Sequence, residues 1–270
     1  MKIFISVTTT KARLGLLFYT LQSLKRQNYR DFSIVVNLSR EPYLFDDGVD
    51  TVPDWMNGRN VQVNFVKNTG SYRKLLPLIE SVEDDDVIVT ADDDVLYSKD
   101  WLGRMVDAAS THPDSIVCGG ARRVKKNIFG KVQNYPNWQR CFESETSVDL
   151  LPIGIFGVAY RRKLLDLTFL TDEAFLKLAP TADDIWFRQA SMRINTTVHV
   201  NPRVSEDNAE IMHKMGLEEL NWHRPHKPSR LIARLAIMVR SELYSYFGIS
   251  MSKNDLAWRD VSAYSGREIG

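Results

Sequence analysis

The chain lacks the features of a membrane-spanning or disulfide-linked protein. No run of about 18 uncharged apolar residues occurs, so we predict no transmembrane helix. Its two cysteines, Cys118 and Cys141, are not spaced as a C-x-x-C pair, which favours free thiols in a reducing compartment. Residues 1–7 lead into threonines rather than into a small-residue cleavage site, so we expect a first strand there and a cytoplasmic protein.

An excess of charge of one sign is also missing. Lys and Arg total 35, whereas Asp and Glu total 34, and this balance disfavours nucleic acid as the main partner. The P-loop, the G-x-G-x-x-G loop, the G-x-S-x-G nucleophile and the H-E-x-x-H zinc motif are absent from the sequence. The loop after the first predicted strand has no glycine before Gly15. That loop disfavours a nucleotidyltransferase, for which we would expect a Gly-rich, basic loop.

Short apolar strands alternate with segments of helical periodicity. Strands are predicted at 3–7, 32–38, 61–66, 86–91, 115–119 and 153–160, and helices at 14–24, 72–82, 101–110 and from 181 onward. This alternation indicates an α/β protein with a mostly parallel sheet covered by helices. We expect one domain over residues 1–200, followed over 201–270 by a linker and an amphipathic helical tail.

Three consecutive carboxylates, Asp92, Asp93 and Asp94, follow one of the apolar strands. Strand ends bind ligands in sheets of this kind. Adjacent carboxylates about 4 Å apart repel by roughly 4 kcal/mol at an effective dielectric near 20, and a shared cation relieves that repulsion. Mn²⁺ or Mg²⁺ suits such a site, held by one or two carboxylates and by substrate phosphates. A solvated acidic turn, like the run at 84–86, is the alternative.

These segments resemble a known family. Residues 87–95, V-I-V-T-A-D-D-D-V, resemble the DxD region of GT-A glycosyltransferases, especially bacterial relatives of glycosyltransferase family 2. Residues 7–10 resemble the first nucleotide-binding strand and loop of that fold, and 70–75 resemble the segment beside the nucleotide. Residues 180–184, P-T-A-D-D, resemble the acidic pair that supplies the catalytic base in inverting members.

The resemblance implies a GT-A fold, with a Rossmann-like, mostly parallel central sheet flanked by helices and a C-terminal helical extension. It implies a metal-dependent glycosyltransferase that moves a sugar, with inversion, from a nucleoside-diphosphate donor such as a UDP-sugar. The acceptor hydroxyl is expected on a glycan or a lipid-linked oligosaccharide in surface polysaccharide synthesis. A non-catalytic nucleotide- or glycan-binding protein and a sugar-nucleotide nucleotidyltransferase are the alternatives.

The resemblance also suggests roles for single residues. The donor site is expected to include Thr8, Thr10, Arg13, Lys74, Asp92 and Asp93, and the metal site to include Asp92, Asp94 and His223. Cations at a predicted helix start suit phosphate, although a solvated helix end explains Lys74 equally well. His226 is a second candidate for the late histidine ligand.

The catalytic base is expected at Asp184 or Asp183, because inverting transfer needs a carboxylate to take the acceptor proton. The alternative is structural, with Thr181 as N-cap and the carboxylates serving the helix start. The resemblance favours Asp184.

The amphipathic segment 229–247 is expected to pack on the main domain, on a second subunit, or on the inner face of the plasma membrane as a peripheral contact. Tyr135, Trp138 and Gln139 are candidate acceptor contacts.

Overall fold

The computed structural model describes residues 1–213, 243–247, 249–250 and 252–266. Its strands are β1 (Ile3–Thr8), β2 (Ser33–Leu38), β3 (Val61–Phe65), β4 (Val87–Ala91), β5 (Val95–Leu96), β6 (Ser115–Cys118), β7 (Ala121–Arg123), β8 (Gln139–Cys141), β9 (Glu145–Ser147), β10 (Leu150–Pro152), β11 (Val158–Tyr160), β12 (Thr197–Val200) and β13 (Ala209–Glu210). The helices are α1 (Leu14–Lys25), α2 (Leu76–Ile79), α3 (Trp101–Thr111), α4 (Leu167–Leu170), α5 (Phe175–Leu178), α6 (Asp183–Met192) and α7 (Lys253–Ser265).

The main sheet has the strand order β3-β2-β1-β4-β11-β6-β12-β9. Strands β3, β2, β1 and β4 are parallel, β11 is antiparallel between β4 and β6, and β12 is parallel to β6. Strands β10, β7 and β8 form a second, antiparallel sheet, and β13 pairs with β5. The predicted α/β class with a mostly parallel sheet is confirmed.

Side-chain alternation along the buried strands builds a core on each face of the main sheet. Val87 and Val89 of β4 pack with residues of α1 and α3, whereas Ile88 packs with residues of α5, α6 and α7. Strand β4 is fully buried between these layers. Its carboxyl end is therefore a rigid platform for the residues that follow it.

Three predicted elements differ from the structure. Residues 72–82 do not form one helix: a 3-10 helix at Gly70–Lys74 precedes the one-turn α2, because successive buried side chains there reach different partners. Residues 153–160 do not form one strand, since Gly157 adopts a φ of 86° and a Cβ on it would lie 2.6 Å from Trp101. The N-cap residue of helix α6 is Ala182 and not the predicted Thr181, and no side chain caps the start of this helix.

The C-terminal helix α7 packs against α6 and contributes Ala257, Trp258 and Val261 to the same core. The ring of Trp258 meets that of Trp138 edge-on at 4.8 Å between centroids. Trp138 is buried and its indole N–H donates to the carbonyl of Gln133, so the expectation of a sugar contact at Trp138 is wrong.

Part of the C-terminal region lies outside the described residues, including positions 229–242 of the amphipathic segment predicted at 229–247. The domain boundary near residue 200 stays a prediction. Among the helices in the described ranges, none has the length and hydrophobicity needed to span a bilayer.

Candidate active site

The acidic triplet lies directly beyond the carboxyl end of β4, as the sequence predicts. The backbone N–H of Asp92 donates to the hydroxyl of Tyr97 at 2.9 Å, and Tyr97 is itself buried beside Trp101. The turn that carries the carboxylates is thus anchored to the core through an aromatic residue. Its geometry is fixed by packing rather than by solvent.

The middle carboxylate, Asp93, points into the protein. Its side chain is only 8% exposed, and it accepts hydrogen bonds from the Thr9 hydroxyl and the Arg13 guanidinium. Burial raises the pKa of Asp93 to about 6, against the lowering effects of Arg13 and Thr9. Asp93 therefore ties the first loop to the triplet, while its role toward the donor stays a prediction.

The outer carboxylate, Asp94, lies between two cationic or potentially cationic side chains. Its Oδ2 is 2.6 Å from Nη2 of Arg13 and 2.8 Å from Nε2 of His213. Strand β13 brings His213 there by pairing with β5, and the Ile211 N–H donates to the Asp94 carbonyl at 2.7 Å. The histidine beside the triplet is thus His213, which the sequence analysis missed; the predicted ligand His223 and its alternative His226 lie outside the described residues.

Lys74 joins the triplet to the acidic pair at the start of α6. Its buried Nζ lies 3.1 Å from Oδ1 of Asp92, 2.8 Å from Oδ2 of Asp183 and 4.0 Å from Oδ1 of Asp184. Burial alone would lower the pKa of Lys74, but the three carboxylates raise it well above its usual range. Lys74 is consequently a permanent cation at the centre of the site.

The two members of the acidic pair differ in environment. Asp183 accepts a hydrogen bond from the Ser71 hydroxyl at 2.7 Å through Oδ1 and pairs with Lys74 through Oδ2. Asp184 accepts one from the Gly154 N–H at 3.2 Å through Oδ2, whereas its buried Oδ1 has no hydrogen-bond donor among the described residues. Asp184 is also the more exposed of the two side chains, at 32% against 10% for Asp183.

Burial raises the pKa of Asp184 to about 7. Lys74 opposes that rise, whereas Asp183 and Asp92 add to it. Gly154 allows this close packing, since a Cβ there would lie 3.1 Å from both Asp184 Oδ1 and Lys74 Nζ. Neither carboxylate hydrogen-bonds as a helix cap, and the capping interpretation with Thr181 is wrong.

The loops beside β1 are held by a buried ion pair. Arg73 donates to Oδ2 of Asp46 at 2.9 Å and to the carbonyl of Thr9 at 3.1 Å. The Thr8 hydroxyl donates to the carbonyl of Asn37 at 2.7 Å. The loops after β1 and β2 and the 3-10 helix before α2 are thereby locked together at the edge where the acidic triplet lies.

The predicted donor contacts Thr8, Thr10 and Arg13 all belong to this region. The Thr10 carbonyl accepts from the Arg13 N–H at 3.0 Å, which turns the chain into α1. Their contact with a donor stays a prediction.

The donor set fits a hard divalent cation bound together with a substrate. No group of three or more His, Cys, Asp or Glu side chains in the described part of the chain forms a ready metal cage. Mg²⁺ and Mn²⁺ need only one or two protein carboxylates when phosphates supply the rest. Asp94 and His213 lie within hydrogen-bond distance of each other, and Asp92 lies on the same turn as Asp94. Arg13, Lys74 and His213 already pair with carboxylates of the triplet, so a bound cation would share these carboxylates with side chains of the protein.

Comparisons with known proteins place the chain in a family context. The model of the family described as "Glycosyl transferase family 2" matches residues 7–167. That match includes the loop after β1, the acidic triplet and Lys74, and it ends before Asp183. No curated protein matches the sequence.

Several crystal structures are similar at low identity. S. aureus TarS 1-349 is 18% identical with a TM-score of 0.45, covering 75% of this chain and 58% of TarS. Its complex with UDP-GlcNAc is 15% identical with a TM-score of 0.49, covering 91% and 67%. The 4-diphosphocytidyl-2C-methyl-D-erythritol synthase of Anaerococcus prevotii is 13% identical with a TM-score of 0.39, covering 60% and 71%. In these two matches the chain spans 58% and 67% of the TarS fragment.

Proposed function

The chain belongs to glycosyl transferase family 2, and from that premise we propose that it transfers a sugar from a nucleoside-diphosphate donor to an acceptor hydroxyl by a metal-dependent single displacement. One observation carries the proposal. The acidic triplet and the acidic pair are distant in sequence, yet Lys74 contacts Asp92 of the first and Asp183 of the second. A site that gathers both groups at a strand end suits metal binding and proton removal together.

Asp94 and His213 are the residues that would hold Mn²⁺ or Mg²⁺, with Asp92 assisting from the same turn. The bound cation would stabilise the negative charge that develops on the leaving diphosphate. Arg13 contacts Asp93 and Asp94, so it keeps the turn in place and adds positive charge beside the phosphate region. Asp93 is a positioning residue in this proposal because its carboxylate is buried on Thr9 and Arg13.

Asp184 is the general base in this mechanism. Its side chain is 32% exposed, so the carboxylate can meet the acceptor hydroxyl, and a pKa of about 7 suits a base that must bind and release a proton near neutral pH. Asp183 holds Lys74 and Ser71, so it fixes the start of α6 and the position of its neighbour. Attack by the deprotonated hydroxyl opposite the leaving diphosphate inverts the anomeric centre.

The finer assignments belong to the same proposal. We propose a UDP-sugar as donor and a glycan or lipid-linked oligosaccharide as acceptor, in surface polysaccharide synthesis on the cytoplasmic side of the membrane. The charge clusters at the site suit a diphosphate, but they do not distinguish one sugar from another. A panel of UDP-, GDP-, CDP- and dTDP-sugars is therefore the first assay, read as release of nucleoside diphosphate with and without Mn²⁺.

The metal assignment is tested by calorimetry with UDP and Mn²⁺. Asp94→Ala should abolish the Mn²⁺-dependent part of UDP binding while preserving the melting temperature, because Asp94 lies outside both cores. The matched control is Asp84→Ala, since Asp84 is an exposed carboxylate that pairs only loosely with Arg162, at 3.7 Å. Unchanged Mn²⁺-dependent affinity in Asp94→Ala would overturn the metal site.

A further inference from the structure

A basic turn with an apolar tip follows β7, in a part of the molecule that the proposed chemistry does not use. Residues 121–142 contain six Lys or Arg and no Asp or Glu, although the whole chain has a net charge of only +1. At the tip, the side chains of Ile128 and Phe129 are 83% and 68% exposed. Neither belongs to the two cores, so folding does not explain two large apolar side chains side by side in solvent.

The turn is well ordered by its own hydrogen bonds. Lys126 and Val132 form an antiparallel bridge, and the buried side chain of Asn127 accepts from the backbone N–H groups of Phe129 at 2.9 Å and Lys131 at 3.0 Å. Gly130 supplies the positive φ, 77°, that closes the turn. The exposure of the tip is therefore a property of a built turn.

A second segment adds apolar surface beside this turn. The Asn127 amide donates to the carbonyl of Tyr246 at 2.9 Å, and the Asn134 amide donates to the carbonyl of Ile249. These bonds hold the backbone of this segment beside the turn, and the segment carries two further exposed side chains, Phe247 at 47% and Ile249 at 50%. We call these four the apical patch: Ile128, Phe129, Phe247 and Ile249.

The charge around the apical patch is positive and only partly neutralised. Arg123 pairs with Glu145, and Arg122 lies over the Tyr135 ring at 4.5 Å. Lys125 and Lys131 are exposed on either side of the tip and form no ion pair with a described residue. The patch thus combines apolar side chains with cations at its rim.

We propose that the apical patch is a peripheral membrane-binding surface for an anionic lipid bilayer. Ile128 and Phe129 enter the boundary between headgroups and acyl chains, while Lys125 and Lys131 meet lipid phosphates. The small size of the patch favours a bilayer over an acidic protein. A specific protein interface buries at least about 1,000 Å² with complementary shape, which four apolar side chains do not supply, whereas a bilayer needs no preformed pocket.

The surface lies away from the candidate active site. Strand β10 pairs with β7 so that Pro152 is opposite Ala121 and Leu150 is opposite Arg123. Gly154, which contacts Asp184, therefore lies beyond one end of this sheet, and the turn around Asn127 lies beyond the opposite end. The proposal does not depend on glycosyl transfer, and it differs from the tail contact predicted at 229–247 because the turn is its main element.

The test is co-sedimentation of the full chain with vesicles of phosphatidylcholine, alone or mixed with phosphatidylglycerol. The double variant Ile128→Ser with Phe129→Ser should bind mixed vesicles at least tenfold more weakly, since each buried apolar side chain contributes roughly tenfold. The matched control combines Tyr19→Ser with Ile194→Ser, which replace two other exposed apolar side chains. It should bind like the parent chain.

Charge is tested in the same assay with Lys125→Glu and Lys131→Glu together. We expect a loss of about tenfold or more on mixed vesicles and little change on phosphatidylcholine alone. The control reverses two exposed lysines elsewhere, Lys99→Glu with Lys177→Glu. Equal losses in the control and test variants would show that binding depends only on the net charge of the protein, and this would overturn the proposal that the apical patch binds the membrane.

Insertion is read directly with Phe129→Trp and brominated lipids. Quenching of the added tryptophan, above that of the parent chain, is the expected result. Absent quenching overturns insertion of the tip even if the protein sediments with vesicles. Lack of binding to mixed vesicles, combined with patch-dependent binding to polyglutamate, would instead identify an acidic polypeptide as the occupant and overturn the membrane proposal.

Discussion

Replacing Asp184 by Asn tests whether this carboxylate removes the acceptor proton. Asn keeps the size of the side chain. It also keeps an oxygen that can accept the hydrogen bond that the Gly154 N–H donates to Oδ2 of Asp184 at 3.2 Å. It cannot act as a base, so transfer should fall by roughly 10²-fold or more. Donor affinity should stay nearly unchanged, because Asp184 lies across Lys74 from the triplet and its removal leaves the Lys74–Asp92 contact in place.

The pH profile sharpens this prediction. Burial places the pKa of Asp184 at about 7 instead of its ordinary 3.8. A base works in its deprotonated form, so transfer should rise with pH and reach half its plateau near pH 7. At pH 5 only about one hundredth of the carboxyl is ionised, whereas a group with the ordinary value would be about nine-tenths ionised. The expected loss between pH 8 and pH 5 is therefore about 100-fold, measured as kcat/KM for the acceptor.

Stability supplies an independent readout with a definite sign. Folding raises the pKa of Asp184, so the folded state holds the proton more tightly than the unfolded state does. The associated stabilisation is fully present below about pH 3.8 and is lost as pH rises through about 7. Asp184→Asn removes this dependence. Relative to the parent chain, the variant should gain melting temperature on going from pH 5 to pH 8.

Asp183→Asn is the matched control, because it changes the neighbouring carboxylate that already bonds Ser71 and Lys74. We expect a smaller loss of transfer and a lower melting temperature, since Lys74 loses an ionic partner. Near-normal transfer by Asp184→Asn, or a flat profile from pH 5 to pH 8, refutes the base assignment. A selective loss in Asp183→Asn would place the base one residue earlier.

Two further predictions concern the metal side and the loop scaffold. His213→Ala should weaken Mn²⁺-dependent UDP binding by roughly tenfold, measured by calorimetry against Met212→Ala, and equal affinities would exclude His213 from the metal site. Asp46→Ala should lower the free energy of unfolding by roughly 3–5 kcal/mol, because it leaves Arg73 charged and unpaired in the interior; denaturant unfolding checks this, and a change below about 1 kcal/mol would contradict it.

The sequence predicted the main sheet and the place of the acidic triplet because both depend on local patterns. Apolar runs of five or six residues give the strands, and a strand end gives the edge at which a ligand binds. The differing roles within the triplet were not predictable in that way. Three adjacent aspartates look equivalent in sequence, but the turn that carries them directs their side chains differently, and Asp93 is the one that points inward onto Thr9 and Arg13.

His213 was missed because a short pairing, not a motif, brings it to the site. Strands β5 and β13 have two residues each, which is too short for periodicity to predict. Their register, with Glu210 opposite Val95, leaves His213 three residues beyond the pair and beside Asp94. A sequence signal would have had to link Val95 to Glu210 across more than a hundred residues.

Lys74 shows why the acidic pair was open to two interpretations. From the sequence, carboxylates at a helix start serve the helix as well as they serve chemistry. A capping carboxylate would bond backbone N–H groups within its own first turn, yet Asp183 and Asp184 bond Ser71 and Gly154, outside α6. The cation they face comes from the segment before α2, which is drawn inward by a 3-10 helix where an α-helix was predicted. Lys74 is the last residue of that 3-10 helix, so the departure from a regular helix and the meeting of the carboxylates occur at the same residue.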